Sequence, residues 1–164
     1  MPKPLTVQNR TEMLDGIVAE FLHNAPRGRR LIAVDGADDA RAAGFADGLA
    51  ERLEAAGQQA LRVSVGDVDE ATLRAQTVDP FRAGSLPGEE HDTVLVIDGR
   101  NLLTVSARGM WHFSLWTLAG DELPHAGASV IVDVTDDDAP LRYFYDYCAL
   151  PPSAGDRGAA SRAS

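Results

Sequence analysis

The sequence is poor in the features that mark secreted, membrane-spanning and disulfide-linked proteins. Its 164 residues include a single cysteine, Cys148, so an internal disulfide cannot form and a reducing compartment is expected. The sequence contains no run of about 18 or more apolar residues, so it predicts no membrane-spanning helix. The first ten residues (MPKPLTVQNR) lack the apolar segment of a secretory signal. We therefore expect a cytoplasmic protein.

Positive charge is also scarce. The chain carries 25 acidic residues against 15 Lys and Arg, a formal net charge of −10. Such a surface repels nucleic acid and anionic membranes, and no basic stripe stands out from it. We expect neither nucleic acid nor a membrane as a partner, and the identity of a small-molecule or protein partner stays open.

The hydrophobic pattern alternates between helices and strands. An apolar content of 45% and a charged content of 24% are ordinary for a globular protein. Helical periodicity is present at 9–24, where Asn9 and Glu12 suit a capping box, at 39–56, and more weakly near 68–76. Short apolar runs predict five strands, at 31–34, 61–65, 93–97, 113–118 and 129–134.

This order of elements predicts an α/β fold with a mostly parallel five-stranded sheet between two helical layers. Strand, helix and strand follow one another as in a βαβ unit, and such units build parallel sheets. The link before the fifth strand is too short for an ordinary crossover helix. We expect an N-terminal helical segment (1–29) packed on an α/β domain (30–150), and a disordered tail (151–164).

Acidic residues follow the first three predicted strands, at the ends where open parallel sheets bind ligands. Asp38 and Asp39 follow the first strand, Asp67 the second, and Asp98 closes the third. Two interpretations are open. The four carboxylates converge into a pocket for a divalent metal or a cationic ligand. Alternatively, Asp38 and Asp39 cap the following helix and meet its dipole.

The first of these loops departs from the phosphate-binding pattern G-x-x-x-x-G-K-[ST]. Counted from Gly36, the second glycine falls on Arg41, the lysine on Ala42 and the hydroxyl residue on Ala43. Arg41 stands one position early, about 100° around the helix from the lysine position. It either supplies a weaker anion contact or pairs with acids, such as Asp38, near it in sequence.

The stretch from about residue 30 to 148 resembles the uridine kinase branch of the P-loop nucleoside kinases. The first strand and loop entry (LIAVDG), the second strand (LRVSVGD) and the third strand (TVLVIDG) carry the resemblance. It implies a P-loop kinase-like fold and makes Asp98 the counterpart of the Walker B acid. The family's acid on the second strand falls at Gly66, so Asp67 serves only after a one-residue shift.

The departures from that family determine the functional prediction. The lysine and the hydroxyl residue are absent, and the lid with its phosphate-clamping arginines is missing. A charge-assisted hydrogen bond contributes roughly 1.5–3 kcal/mol, and a carboxylate about 5 Å from a phosphate adds about 3 kcal/mol of repulsion. The resemblance therefore favours a pseudoenzyme or binding module with a degenerate Walker A motif.

The alternative is a residual nucleoside (uridine) kinase or another small-molecule phosphotransferase. That activity implies ATP and Mg²⁺ as cofactors. Gly36 and Arg41 would then contact the nucleotide, and Asp67 and Asp98 would be the catalytic candidates. Asp98, with Asp38 and Asp39 less directly, would be the metal-binding candidates.

Three further features are read as structural. The four histidines lack the spacing of metal ligands. The aromatic segment Leu141–Tyr147 is expected to dock the C-terminus onto the sheet, or, if exposed, to form a partner surface. Cys148 has no base near it in sequence and is expected to be inert.

Overall fold

The computed structural model describes residues 9–143. The expected tail at 151–164, Cys148 and the part of the aromatic segment beyond Tyr143 lie outside the described residues. No helix among the described residues is long and apolar enough to cross a membrane.

The centre of the protein is a six-stranded sheet with the order β2-β3-β1-β4-β5-β6. The first five strands are mutually parallel, and the last runs antiparallel to its neighbour. The strands are β1 Arg30–Gly36, β2 Ala60–Gly66, β3 Val94–Gly99, β4 Phe113–Leu118, β5 Val130–Asp133 and β6 Leu141–Arg142. This sheet confirms the predicted α/β class with a mostly parallel sheet. All five predicted strands are present, and the start of the aromatic segment adds a short sixth.

Two long helices and a composite third one cover the sheet. They are α1 Arg10–Asn24, α2 Asp39–Ala55, and the pair α3 Glu70–Leu73 and α4 Asp79–Arg82. The predicted capping box is present in modified form: Asn9 Oδ1 accepts the Glu12 N–H at 2.8 Å. The reciprocal bond, also 2.8 Å, runs from the side-chain amide of Asn9 to Glu12.

A π-helical turn, Arg74–Val78, joins α3 to α4. Pro80 follows it within α4, and a proline lacks an N–H and clashes with the carbonyl four residues earlier, here Gln76. The wider π turn accommodates this proline, so the chain stays helical as far as Arg82. Periodicity alone predicted a helix ending near Gln76.

The two faces of the sheet carry separate hydrophobic layers. On one face α1 and α2 contribute the buried side chains Phe21, Phe45 and Leu49. On the other face, α4 contributes Phe81, and the segment after β3 contributes Trp111, whose indole N–H donates to the Leu102 carbonyl at 2.6 Å. The result is the expected three-layer arrangement.

The link between β4 and β5 is an irregular segment, residues 119–129, without a helix. It nevertheless returns the chain so that β5 lies parallel to β4, with Leu115 opposite Val130. The sequence predicted that this link has no crossover helix, and it left the pairing of the fifth strand open.

Arg30 anchors the amino end of the sheet. Its side chain is nearly completely buried, with 1% exposure. The guanidinium donates to the Ala25, Gly28 and Asp92 carbonyls and to the Gln58 side chain. Burial lowers the pKa of Arg30, and the Asp92 charge partly opposes that shift. This one side chain therefore ties the start of β1 to the segments that enter β2 and β3.

His112 holds the same end of β1 through its ring. The Leu31 N–H donates to the ring atom His112 Nδ1 at 3.0 Å, and the backbone N–H of His112 donates to the Leu31 carbonyl at 2.9 Å. Nδ1 must therefore be unprotonated. Burial, with the charges of Arg82 and Arg30, lowers the pKa of His112 below its ordinary value of 6.5.

We predict that His112 makes the protein acid-sensitive. Because the folded-state pKa is lowered, the unfolded chain binds a proton more readily, so stability is full above the unfolded pKa of 6.5. It declines as the pH falls from that value through the folded pKa. In His112→Asn the amide oxygen can accept the Leu31 N–H without titrating. Urea unfolding of both proteins between about pH 7 and 5 should show a shallower decline for the variant. Parallel curves would contradict the assignment.

Candidate functional site

The carboxyl edge of the sheet is the expected ligand site of an open parallel sheet. Here β1 ends at Gly36 and α2 begins at Asp39, so only Ala37 and Asp38 join them. In the phosphate-binding pattern the second glycine would fall on Arg41, which already lies inside α2. The departure from the pattern is therefore one of backbone as well as side chains. A direct strand-to-helix turn replaces the loop.

Asp38 is the N-cap of α2. Its Oδ1 accepts the Arg41 N–H at 2.9 Å, and its carbonyl accepts the Ala42 N–H at 3.1 Å. Helix N-termini bind phosphates through such free N–H groups and the helix dipole. The carboxylate of Asp38 thus occupies one of the N–H groups that an anion would use, as the capping interpretation predicted.

Asp39, in the first turn of α2, pairs with Arg100 from the turn after β3. Arg100 Nη2 lies 2.5 Å and Nε 2.8 Å from Asp39 Oδ2, and both side chains are about half exposed. The hydrogen bond to Asp39 raises the pKa of Arg100, with the charges of Asp67 and Asp35 adding to it. This ion pair joins the start of α2 to the turn after β3.

Arg41 pairs with Glu122, which lies in the link between β4 and β5. Glu122 also accepts the Ala119 N–H at 2.6 Å. The sequence suggested an anion contact or a nearby acid such as Asp38 as partner, and the partner found is 81 positions away in the chain. The Arg41 side chain is therefore directed toward β4.

Asp98, which the resemblance made a catalytic and metal-binding candidate, is nearly buried and takes part in an internal network. It accepts a hydrogen bond from the Ser64 hydroxyl, and Arg62 Nη2 lies 2.5 Å from its Oδ1. Arg62 also lies 3.0 Å from Asp47 and donates to the Ala43 carbonyl at 3.1 Å. The carboxylate of Asp98 is thus neutralised by an arginine from β2.

Asp67 lies beyond the end of β2 and takes part in a separate contact. Its Oδ1 accepts a hydrogen bond of 3.0 Å from the Asn101 side chain. Asn101 has a positive φ of 61°, a conformation that asparagine tolerates better than most residues. This contact fixes the turn that follows β3.

The sequence-based site residues therefore lie at one edge but do not point to one ligand position. Within residues 9–143 there is no group of three or more His, Cys, Asp or Glu side chains placed to hold a metal ion. Asp38, Asp39, Asp67 and Asp98 contact four different partners: a backbone N–H, Arg100, Asn101 and the Arg62–Ser64 pair.

Sequence reasoning missed four residues that shape this edge: Asp35, Arg62, Arg100 and Glu122. Asp35 is buried and accepts the Gly36 and Leu102 N–H groups at 2.7 and 3.2 Å. Arg62 had a readable signal, because it alternates with Leu61 and Val63 and so lies on the opposite face of β2 from them. Glu122 had none, since its partner is remote in sequence.

A groove of substantial volume lies away from the carboxyl edge of the sheet. A groove of about 340 Å³ runs between α1 and α2. It is lined by Asp15, Val18, Ala19, Leu22, Arg52, Ala55 and Ala56. The Asp15–Arg52 ion pair, 2.7 Å between Oδ1 and Nε, crosses it. None of the sequence-predicted site residues lines this groove.

Comparisons with known proteins give a weak structural likeness and no match in sequence. No protein-family model matches the sequence. No curated protein matches it either. A solved structure from Silicibacter sp. TM1040, described as a "putative fructose transport system kinase", is 19% identical, with a TM-score of 0.45. The match covers 68% of this chain and 75% of that chain. The fold class stated above rests on the strand order and pairing of this protein itself.

We predict that removal of the Asp38 cap destabilises α2. Asp38→Ala should lower the free energy of unfolding by about 1 kcal/mol, because the Arg41 N–H loses its acceptor. Asp38→Ser supplies another cap oxygen and should lose only a fraction of that. Urea denaturation of the three proteins measures the difference. Equal losses in both variants would show that the cap is not what Asp38 contributes.

We predict that Asp98 depends on Arg62. Arg62→Met should lower the free energy of unfolding by about 2 kcal/mol, because it leaves a nearly buried carboxylate without its counter-charge. In Arg62→Met/Asp98→Asn that charge is removed as well. The double variant should therefore be more stable than the single one in chemical denaturation. A double variant less stable than Arg62→Met would contradict the pairing.

Proposed function

We propose that this protein is a uridine kinase-like domain that has lost ATP-dependent phosphoryl transfer and acts as a binding module. The observation that carries the proposal is the turn between β1 and α2. It contains two residues, and the side chain of Asp38 bonds to the helix N-terminus. A phosphate loop needs several free N–H groups around a concave space.

The two positions at which the pattern requires a lysine and a hydroxyl support the same proposal. Ala42 is 2% exposed and belongs to the hydrophobic layer beneath α2, so the lysine position faces the core. The carbonyl of Ala43, at the hydroxyl position, accepts a hydrogen bond from Arg62. Restoring these two side chains would place a charge in the core without rebuilding the loop.

The charges at the edge also oppose an incoming triphosphate. Asp39 stands beside the turn, and Arg100 and Arg41 are already paired with Asp39 and Glu122. A ligand phosphate would have to break these pairs and bind against a chain of net charge −10. Asp98 would have to leave Arg62 before it could organise a magnesium ion.

The first test is binding of Mg²⁺-ATP, measured by thermal shift and by calorimetry. A ligand present at about 100 times its Kd adds about 2.7 kcal/mol of stability, so sub-millimolar binding is readily seen at several millimolar ATP. We expect no shift with ATP, GTP or uridine, with or without Mg²⁺, and no phosphate transfer to uridine. Saturable ATP binding with uridine phosphorylation would establish the residual kinase instead.

A paired variant distinguishes a blocked site from an absent one. Asp38→Ser/Asp39→Asn removes both carboxylates and keeps a capping residue. If the acids merely obstruct an intact phosphate site, this variant should gain Mg²⁺-ATP binding. We expect no gain, because the turn is too short to surround a phosphate. A binding affinity in the micromolar range would overturn the proposal.

A further inference from the structure

Strand β2 forms one edge of the sheet, and its outer side faces no other strand of residues 9–143. The Val94 N–H donates to the Gln59 carbonyl at 2.8 Å, which shows that Gln59 directs this group toward β3. Because the direction alternates along a strand, the N–H and C=O groups of Ala60, Arg62 and Ser64 point away from the sheet. Among the described contacts, none occupies these groups.

This edge has little of the usual protection against strand pairing, since its one register irregularity lies at the carboxyl end of β2, between Ser64 and Gly66. Natural edges carry prolines, outward lysines or a covering segment, because an open edge is a template for another strand. Strand β2 (ALRVSVG) has no proline and no lysine. Its one charged side chain, Arg62, forms ion pairs with Asp98 and Asp47 on the α2 side of the sheet.

The opposite face of the same edge is apolar. Leu61, Val63 and Val65 pack against the hydrophobic layer on the α4 side, yet each remains partly exposed. The edge therefore combines unpaired main-chain groups with a strip of half-buried aliphatic side chains. Another extended strand with aliphatic residues in alternate positions would fit it.

We propose that β2 pairs antiparallel with β2 of a second copy of this chain, around a two-fold axis at Val63. In this register Arg62 lies opposite the partner's Ser64, and both have outward main-chain groups, so each such pair exchanges two hydrogen bonds. Leu61 lies opposite the partner's Val65, an aliphatic cross-strand pair. The strand is thus complementary to itself, as an isologous interface requires.

Charge favours this register over the one that is centred on Arg62. A two-residue slip would centre the axis on Arg62 and place it opposite the partner's Arg62, and like charges directly opposite are destabilising. With the axis at Val63 no two charged residues of β2 face each other. The sheets of the two copies would then form one continuous sheet.

The dimer is expected to be weak and concentration-dependent. One strand pair buries less than the roughly 1,200–2,000 Å² of a stable interface. Each chain also carries a net charge of −10, so the copies repel each other at low ionic strength. Salt screens that repulsion, with a Debye length of about 10 Å at 0.1 M and about 3 Å at 1 M. Added salt should therefore strengthen this dimer.

Sedimentation equilibrium of the full chain from about 1 to 500 μM is the first experiment, since weak dimers have micromolar Kd values. We expect a monomer–dimer equilibrium that moves toward dimer with salt. Val63→Lys places two ammonium groups opposite each other at the axis and should raise Kd at least about tenfold. Val105→Lys makes the same charge change at a side chain that is 82% exposed and outside β2, and should leave Kd unchanged. A monomer at every concentration, or equal effects of the two variants, would overturn the proposal.

Cysteine crosslinking tests the register even if Val63→Lys fails to fold. In a Cys148→Ser background, Val63→Cys should form a disulfide-linked dimer on mild oxidation, because directly opposed residues of a non-hydrogen-bonded pair lie close together. Leu61→Cys should crosslink with Val65→Cys in a mixture but not with itself. Val105→Cys serves as the collision control. Crosslinking no faster than this control would contradict the β2 interface.

Discussion

The turn between β1 and α2 constrains the whole carboxyl edge of this protein. Two residues connect the strand to the helix, and Asp38 bonds to the helix N-terminus that they expose. Because the helix begins so early, Arg41 is a helical residue whose side chain reaches Glu122 beyond β4. Ala42 then faces the core. The Arg41 N–H, one of the groups that a bound phosphate would use, is already bonded to the Asp38 carboxylate.

The remaining charges follow from that arrangement. Asp39 pairs with Arg100, and Arg62 reaches from β2 to neutralise Asp98. Each arginine at the edge has an acid within ion-pair distance, and each of these acids lies on a different element from its arginine. Such cross-element pairs stabilise modestly where they are exposed and hold geometry where they are buried. These ion pairs join α2 to β2, to the turn after β3 and to the link between β4 and β5, and they join β2 to β3.

The sequence predicted the sheet well because strands and helices are written in local periodicity. Strand β4 was predicted with its observed bounds from a short apolar run, and α2 within one residue from helical spacing. The π turn before Pro80 and the pairing of β5 depend on contacts that no local pattern encodes. At the site, the spacing counted from Gly36 showed which residues were missing from the phosphate-binding pattern. Only the structure showed that the loop itself is missing, since backbone length around Asp38 depends on where α2 begins.

The partners of the charged residues were the least predictable feature. Arg41 was expected to bind an anion or a neighbouring acid, and its partner Glu122 is distant in sequence. Arg62 and Arg100 carried no motif, although the strand alternation of Arg62 placed it on the α2 face. Long-range ion pairs depend on tertiary packing, so sequence alone gives the candidates and not the pairs.

An amide NMR titration with Mg²⁺-ATP tests the central claim most directly. The N–H groups of Gly36 to Arg41 would surround the phosphates in a working loop, and in this structure the Arg41 N–H is already bonded to Asp38. The account predicts that these resonances do not move at several millimolar nucleotide, beyond the shifts caused by MgCl₂ alone. Saturable shifts centred on these amides would contradict it.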